Sequence, residues 1–209
     1  MTTYTPKDFT HLLGMKGFSD IMLNNHFTLY NGYVNNVNVI LGKMNAIRLE
    51  RLSGDESHKE ETAEMHRRYG WEYNGIKLHE LYFENLTRDN TESLKKIINT
   101  DGTINTDSKL AVGIIERYDS FDNFKIHFIK SVAMFRGIGW VALIKRGEGL
   151  GVIWIGEHDQ GLLANAKILL IMDMWEHAYM TDYGIKKAEY IEAFWNNIDW
   201  NVVENRLSN

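Results

Sequence analysis

From Ser19 to about Arg51 the apolar residues Ile21, Phe27, Tyr30, Val34, Val37, Leu41 and Met44 recur at roughly helical spacing. That spacing predicts one long helix with a single buried stripe. Ser19 and Asp20 supply its N-cap chemistry, and Leu52-Ser53-Gly54-Asp55 breaks it. A charged helix is expected over Glu56 to Gly70 and a third from about Ile76 to Asn85. Two antiparallel helices would form an N-terminal hairpin.

Residues 87–106 are polar, with Asp101-Gly102 as the clearest break, and a soft domain boundary is placed there. Helices are expected over about Asp107 to Arg117 and Phe121 to Arg136, ended by Gly137-Ile138-Gly139. Three strands follow: Trp140 to Lys145, Gly151 to Ile155 and Ile168 to Met172. Gly147-Glu148-Gly149 reads as the hairpin turn between the first two. Ile168 to Met172 is a continuous apolar run, the pattern of a buried strand. Two last helices are expected over about Lys186 to Asn197 and Asn201 to Leu207. The fold class is therefore α+β. A long antiparallel helical hairpin occupies 1–90, and an α/β domain with a small three-stranded antiparallel sheet occupies 91–209.

Composition narrows the function classes. The chain has 209 residues, 44% of them hydrophobic, enough for a real core. A net charge of −5 argues against nucleic acid or an anionic membrane as the main partner. There is no cysteine, so a metal would have to be held by histidine and carboxylate. The N-terminal residues lack the apolar core of a signal peptide, and no apolar run approaches the ~18 residues of a membrane span. The expected compartment is the cytoplasm.

Candidate chemistry concentrates at Asp173-Met174-Trp175-Glu176-His177-Ala178-Tyr179. An Asp at the end of a buried strand with a His four residues on suits a metal such as zinc, iron or manganese. It equally suits a carboxylate that caps a helix, and spacing alone leaves both open. The whole string resembles the signature of the iron/manganese superoxide dismutases. The resemblance runs from about residue 17 to 207 and includes the closing stretch from Tyr190 to Trp200. It implies that Asp173 and His177 bind the metal, and that Glu176 reaches the metal-binding His of a partner subunit. His79, in Leu78-His79-Glu80-Leu81-Tyr82-Phe83-Glu84-Asn85-Leu86, matches a further ligand. The remaining ligand falls in His26-Phe27-Thr28-Leu29-Tyr30-Asn31-Gly32-Tyr33-Val34-Asn35-Asn36. A gapless alignment puts Asn25 on the ligand position. One residue turns a helix by about 100°, so Asn25 and His26 cannot both face a metal. His26 is preferred, because imidazole is the better ligand and a helix without a π-bulge presents it one residue later.

The resemblance also implies an outer shell. Tyr33 matches the active-site Tyr that guards the substrate channel. Gly137-Ile138-Gly139-Trp140 matches a Gly-x-Gly-Trp turn, and Trp140 and Trp175 are expected as pocket walls. In Gly156-Glu157-His158-Asp159-Gln160-Gly161, His158 takes the place of the side chain that bonds the metal-bound solvent, with Gln160 as fallback. Gly75 matches members whose outer-shell side chain comes from that loop. The chain departs from the family where Leu29-Tyr30 replaces a His-His pair, where Ala142 replaces a second Trp, and where Met180 replaces a second Tyr. Ala142 implies a less aromatic pocket wall, and the departures at Leu29-Tyr30 and Met180 imply a rebuilt proton relay. Lys187 is a candidate for drawing in an anion. The other histidines, His11, His58, His66 and His127, read as solvent-exposed.

The implied activity is disproportionation of superoxide to dioxygen and hydrogen peroxide. It would use one Fe or Mn ion per subunit, cycling between 2+ and 3+, in a homodimer or homotetramer. Two alternatives stand beside it. One is a zinc hydrolase with Glu176 as general base. The other is a protein of this fold that has lost its metal site, for which Asn25 and Leu29 are the features in favour. The sequence leaves iron against manganese open.

Overall fold

The computed structural model describes residues 3–52, 57–147 and 149–208. Of the expected break Leu52-Ser53-Gly54-Asp55, residues 53–55 lie outside them, as does Glu148 of the hairpin turn. Two long helices, α1 (Asp20–Leu52) and α2 (Lys59–Glu84), pair into the N-terminal hairpin. The Ser19 hydroxyl accepts the Met22 N–H at 3.1 Å and caps α1. Where two helices were expected over 56–85, α2 is continuous through Gly70 and Gly75. An isolated glycine inside a helix costs about 1 kcal/mol and does not by itself end it. At Gly75 the missing side chain has a use: a Cβ would lie 2.7 Å from Cδ1 of Tyr33.

A one-turn helix α3 (Thr91–Leu94) precedes α4 (Lys109–Tyr118) and α5 (Phe121–Met134). Both longer helices are capped by serines, Ser108 accepting from the Ala111 N–H and Ser120 from the Asn123 N–H. The sheet is fully antiparallel in the order β2-β1-β3, with β1 spanning Gly139–Arg146, β2 Gly149–Gly156 and β3 Lys167–Asp173. Central β1 is buried from Gly139 to Ile144. In β3 the apolar run from Leu169 to Met172 is fully buried and ends on Asp173, also at zero exposure. Short helix α6 (Met180–Tyr183), then α7 (Lys187–Trp195) and α8 (Trp200–Ser208), complete the chain.

The end of β3 is fixed by polar contacts to the hairpin and to the C-terminal helices. Asn85 Oδ1 accepts the Ile171 N–H at 2.9 Å, and Tyr190 Oη donates to the Asp173 carbonyl at 2.8 Å. Arg206 on α8 donates to the carbonyls of Leu169 and Leu81 and to Glu84, joining β3 to α2. Among the described residues no helix is long and apolar enough to cross a membrane.

Candidate metal centre

Four side chains converge where α1, α2 and β3 meet. His26, His79, Asp173 and His177 each offer one donor atom, and these atoms lie within 4.8 Å of one another. His26 comes from α1 and His79 from α2. Asp173 is the last residue of β3, and His177 lies in a single 3₁₀ turn, Glu176–Ala178. His26 is 2% exposed, whereas Asn25 faces solvent. The register of α1 thus turns His26 inward.

The focus is Asp173 Oδ2. Nε2 of His26 and Nε2 of His177 approach it at 3.1 Å each, and Nε2 of His79 at 3.7 Å. Asp173 Oδ1 accepts the Trp175 N–H at 2.8 Å, which sets the carboxylate's orientation. His79 is decisive. Its Nδ1 lies 2.6 Å from the Gly75 carbonyl, which can only accept, so the ring proton sits on Nδ1. The Nε2 lone pair is left buried, without a hydrogen-bond partner, facing a carboxylate oxygen. Two acceptors do not attract each other in a buried site. A cation between them resolves the conflict, and ~2.0–2.2 Å metal–ligand bonds can span such separations.

The electrostatics agree. Burial lowers the pKa of His26 and pushes that of His79 well below its usual range. Burial also works to raise Asp173, but the imidazoles of His177 and His26 outweigh it and hold the carboxyl far below the usual range. Neutral imidazole and ionised carboxylate are the forms that bind a metal.

Around this set lies a polar pair. The chain from Gly156 to Gln160 closes on itself, Gly156 N–H donating to the Gln160 carbonyl at 2.8 Å and Gln160 N–H to the Gly156 carbonyl at 3.1 Å. The closure buries His158 completely and leaves Gln160 exposed. His158 Nδ1 accepts the Trp140 indole N–H at 3.1 Å, and Nε2 lies 2.9 Å from Tyr33 Oη. Because an indole can only donate, the neutral imidazole carries its proton on Nε2 and donates it to Tyr33. Tyr33's own hydroxyl hydrogen is then free to point elsewhere. Burial lowers the His158 pKa to about 4. Burial, then Asp173 and Glu72, raise that of Tyr33, which stays protonated.

Trp140 packs edge-on to His79 at 4.9 Å between ring centroids, and Trp175 stacks on His158 at 5.0 Å and His177 at 5.8 Å. Glu176 is exposed, and its charge opposes the lowering that burial imposes on half-buried Lys187. Met180 is 46% exposed, and Leu29 is half-buried. Tyr30 is buried instead, donating to Glu80 at 3.2 Å. His11, His66 and His127 are exposed, and His58 is half-buried beside Glu50 and Glu61. Sequence reasoning missed Trp71, whose ring lies 4.5 Å from His158. Its position four residues before Gly75 and eight before His79 was the available signal.

Known proteins are similar to this sequence. The family model described as iron/manganese superoxide dismutases, C-terminal domain, matches residues 106–206. A superoxide dismutase [Fe] of Saccharolobus solfataricus is 31% identical over 195 residues, covering 92% of this chain and 84% of its own. One from Aquifex pyrophilus is 32% identical over 208 residues, covering 97% and 90%. A superoxide dismutase [Mn/Fe] of Propionibacterium freudenreichii is 33% identical over 102 residues, 48% of this chain and 51% of its own. The chain belongs to the iron/manganese superoxide dismutase family.

Proposed function

We propose that this protein is a superoxide dismutase, converting two superoxide anions and two protons to dioxygen and hydrogen peroxide. The metal ligands are His26, His79, Asp173 and His177. The observation that carries the ligand set is the buried Nε2 lone pair of His79 facing Asp173 Oδ2 at 3.7 Å. One Fe or Mn ion per chain, when bound, supplies a one-electron couple between the 2+ and 3+ states.

The chain's own residues handle protons and access. Tyr33 is held by the His158 Nε2–H as an acceptor, so its hydroxyl hydrogen is available to the site. His158, neutral and fixed from its other side by Trp140, orients Tyr33 and does not compete for that hydrogen. Trp140 and Trp175 wall the site with aromatic surface and limit bulk water around the ligands. Lys187 is the cation we assign to drawing superoxide inward. Glu176, exposed on the single chain, is read as crossing to His177 of a second copy, which makes the working form a homodimer or a larger assembly. Residues 1–90 and 91–209 are read as the two domains that supply two ligands each.

The test is metal analysis together with superoxide consumption. Wild-type protein and Asn25→Ala should hold close to one Fe or Mn per chain and be active. His26→Ala should lose most of both. Equal metal content in His26→Ala and wild type would overturn the ligand set.

A further inference from the structure

Tyr33 sits in a slot whose outer wall is not made by the ligands. Trp71, Gly75 and His79 follow one another at four-residue steps on α2, a spacing that keeps them along one side of the helix. The Tyr33 ring packs onto Gly75, with the Trp71 ring 5.8 Å away and the His79 ring 5.1 Å away. Trp71 also meets His158 edge-on at 4.5 Å. Trp71 is itself held. Its indole N–H donates to Glu157 Oε2 at 3.1 Å. The Arg68 guanidinium lies 5.9 Å from its ring centroid and is fixed in turn by buried Glu72 at 2.8 Å. Glu157 directly precedes His158 and has φ of 49°, a left-handed conformation that a non-glycine residue adopts only under restraint.

We propose that Trp71 and Glu157 form a strap between α2 and the His158 loop, and that Trp71 is a positioning residue for the outer shell. The strap sets the orientation of the His158 imidazole and closes the side of the Tyr33–His158 pair that faces α2. Orientation matters because a modest rotation of that ring breaks its bonds to Trp140 and Tyr33 together. Closure matters because it leaves less of the Tyr33–His158 pair open to a small anion. The inference rests on the dismutase reading of the site.

The experiment uses metal-loaded wild type, Trp71→Phe, Glu157→Ala, Glu157→Gln and the double variant of Trp71→Phe with Glu157→Ala. Metal per chain, the dissociation constant for azide as an unreactive anion probe, and kcat and KM for superoxide are measured. Metal content should be unchanged throughout. Trp71→Phe keeps a ring and loses the N–H, and Glu157→Ala loses the acceptor. Each should shift azide affinity and lower kcat by roughly tenfold, the low end for residues that act behind metal ligands. Glu157→Gln retains an oxygen that accepts the indole N–H and should behave as wild type. The double variant should be no worse than either single change, because both break the same bond. A purely structural role would lower thermal stability and leave azide affinity alone. Wild-type azide affinity and kcat in Glu157→Ala, or additive losses in the double variant, would overturn the strap. If Trp71→Phe fails to fold, the Glu157 pair of variants decides alone. Failure of the dismutase reading shows separately, as wild-type protein that holds no Fe or Mn or consumes no superoxide.

Discussion

Trp140→Phe removes one N–H and keeps an aromatic wall, so it isolates what fixes His158. In the wild type the Trp140 indole donates to Nδ1 at 3.1 Å, and Nε2 carries the ring proton toward Tyr33. The opposite tautomer would set N–H against N–H in a fully buried place. Losing such a bond costs about 1–3 kcal/mol, which is a preference of roughly five- to 150-fold for the Nε2–H form. Phenylalanine cancels that preference, since either tautomer then leaves Nδ1 unpaired. The populations should approach parity. In the Nδ1–H form, Nε2 accepts from the Tyr33 hydroxyl and turns its hydrogen away from the ligands. With about half the molecules so disposed, redistribution alone lowers turnover about twofold. The smaller ring also weakens the core, which denaturant unfolding reads independently. The assay is ¹⁵N NMR of histidine-labelled, metal-free protein beside turnover of the loaded enzyme. If His158 in Trp140→Phe remains wholly in the Nε2–H form, the tautomer argument is refuted, whatever turnover does.

Gly75→Ala sets helix propensity against a clash. Alanine inside a helix gains about 1 kcal/mol, but a Cβ 2.7 Å from Tyr33 Cδ1 forces the ring outward, and such overpacking costs about 1–3 kcal/mol. The variant should be no more stable than wild type and should turn over more slowly; a stabilised, fully active Gly75→Ala would count against the slot. Metal-free protein should lose stability in acid. His26, His79 and His158 are buried with lowered pKa values, that of His158 at about 4, while the unfolded chain takes up protons near pH ~6.5. Below that pH the unfolded state binds more protons, so stability falls as pH falls, by up to about 1.4 kcal/mol per pH unit for each imidazole. Urea midpoints should be level above pH ~7 and drop between ~6.5 and ~4.5; level midpoints across that window contradict the buried, neutral assignment. Glu176→Ala should dissociate the assembly and cost about 10–100-fold in metal affinity or activity, and sedimentation showing a fully active monomer in the wild type excludes the cross-subunit role.

Much of this centre was legible because local chemistry and burial pointed the same way. The run Ile168 to Met172 reads as a buried strand, and a carboxylate at its end had to be satisfied by something. Adjacent helix positions cannot both face the site, the better donor chemistry of imidazole favoured His26 over Asn25, and burial separates the two in the structure. What sequence could not give were features set by distant partners. Two helices were expected, over Glu56 to Gly70 and about Ile76 to Asn85, but they are one, and Gly75 within it belongs to the packing of a ring from another helix. The indole of Trp71 finds its acceptor 86 residues away, beyond any periodic signal. His158 stood out only through the resemblance, because nothing in Gly156-Glu157-His158-Asp159-Gln160 announces that the segment closes on itself. The single turns at Thr91–Leu94 and Met180–Tyr183 are too short to show a period at all.

The ligands are far apart along the chain, and that orders events in time. The hairpin of α1 and α2 can bring His26 and His79 together early, since it needs only its own residues. Asp173 is 147 residues from His26 and is carried by β3, which pairs with β1. Such distant closures are slow steps in folding. Until then two neutral imidazoles stand without the anion that completes a cation site, and any ion they hold is weakly held. A complete four-donor site therefore requires both halves of the chain in place. Donor chemistry of this kind suits more than one divalent ion, so availability in the surroundings enters metal choice along with affinity.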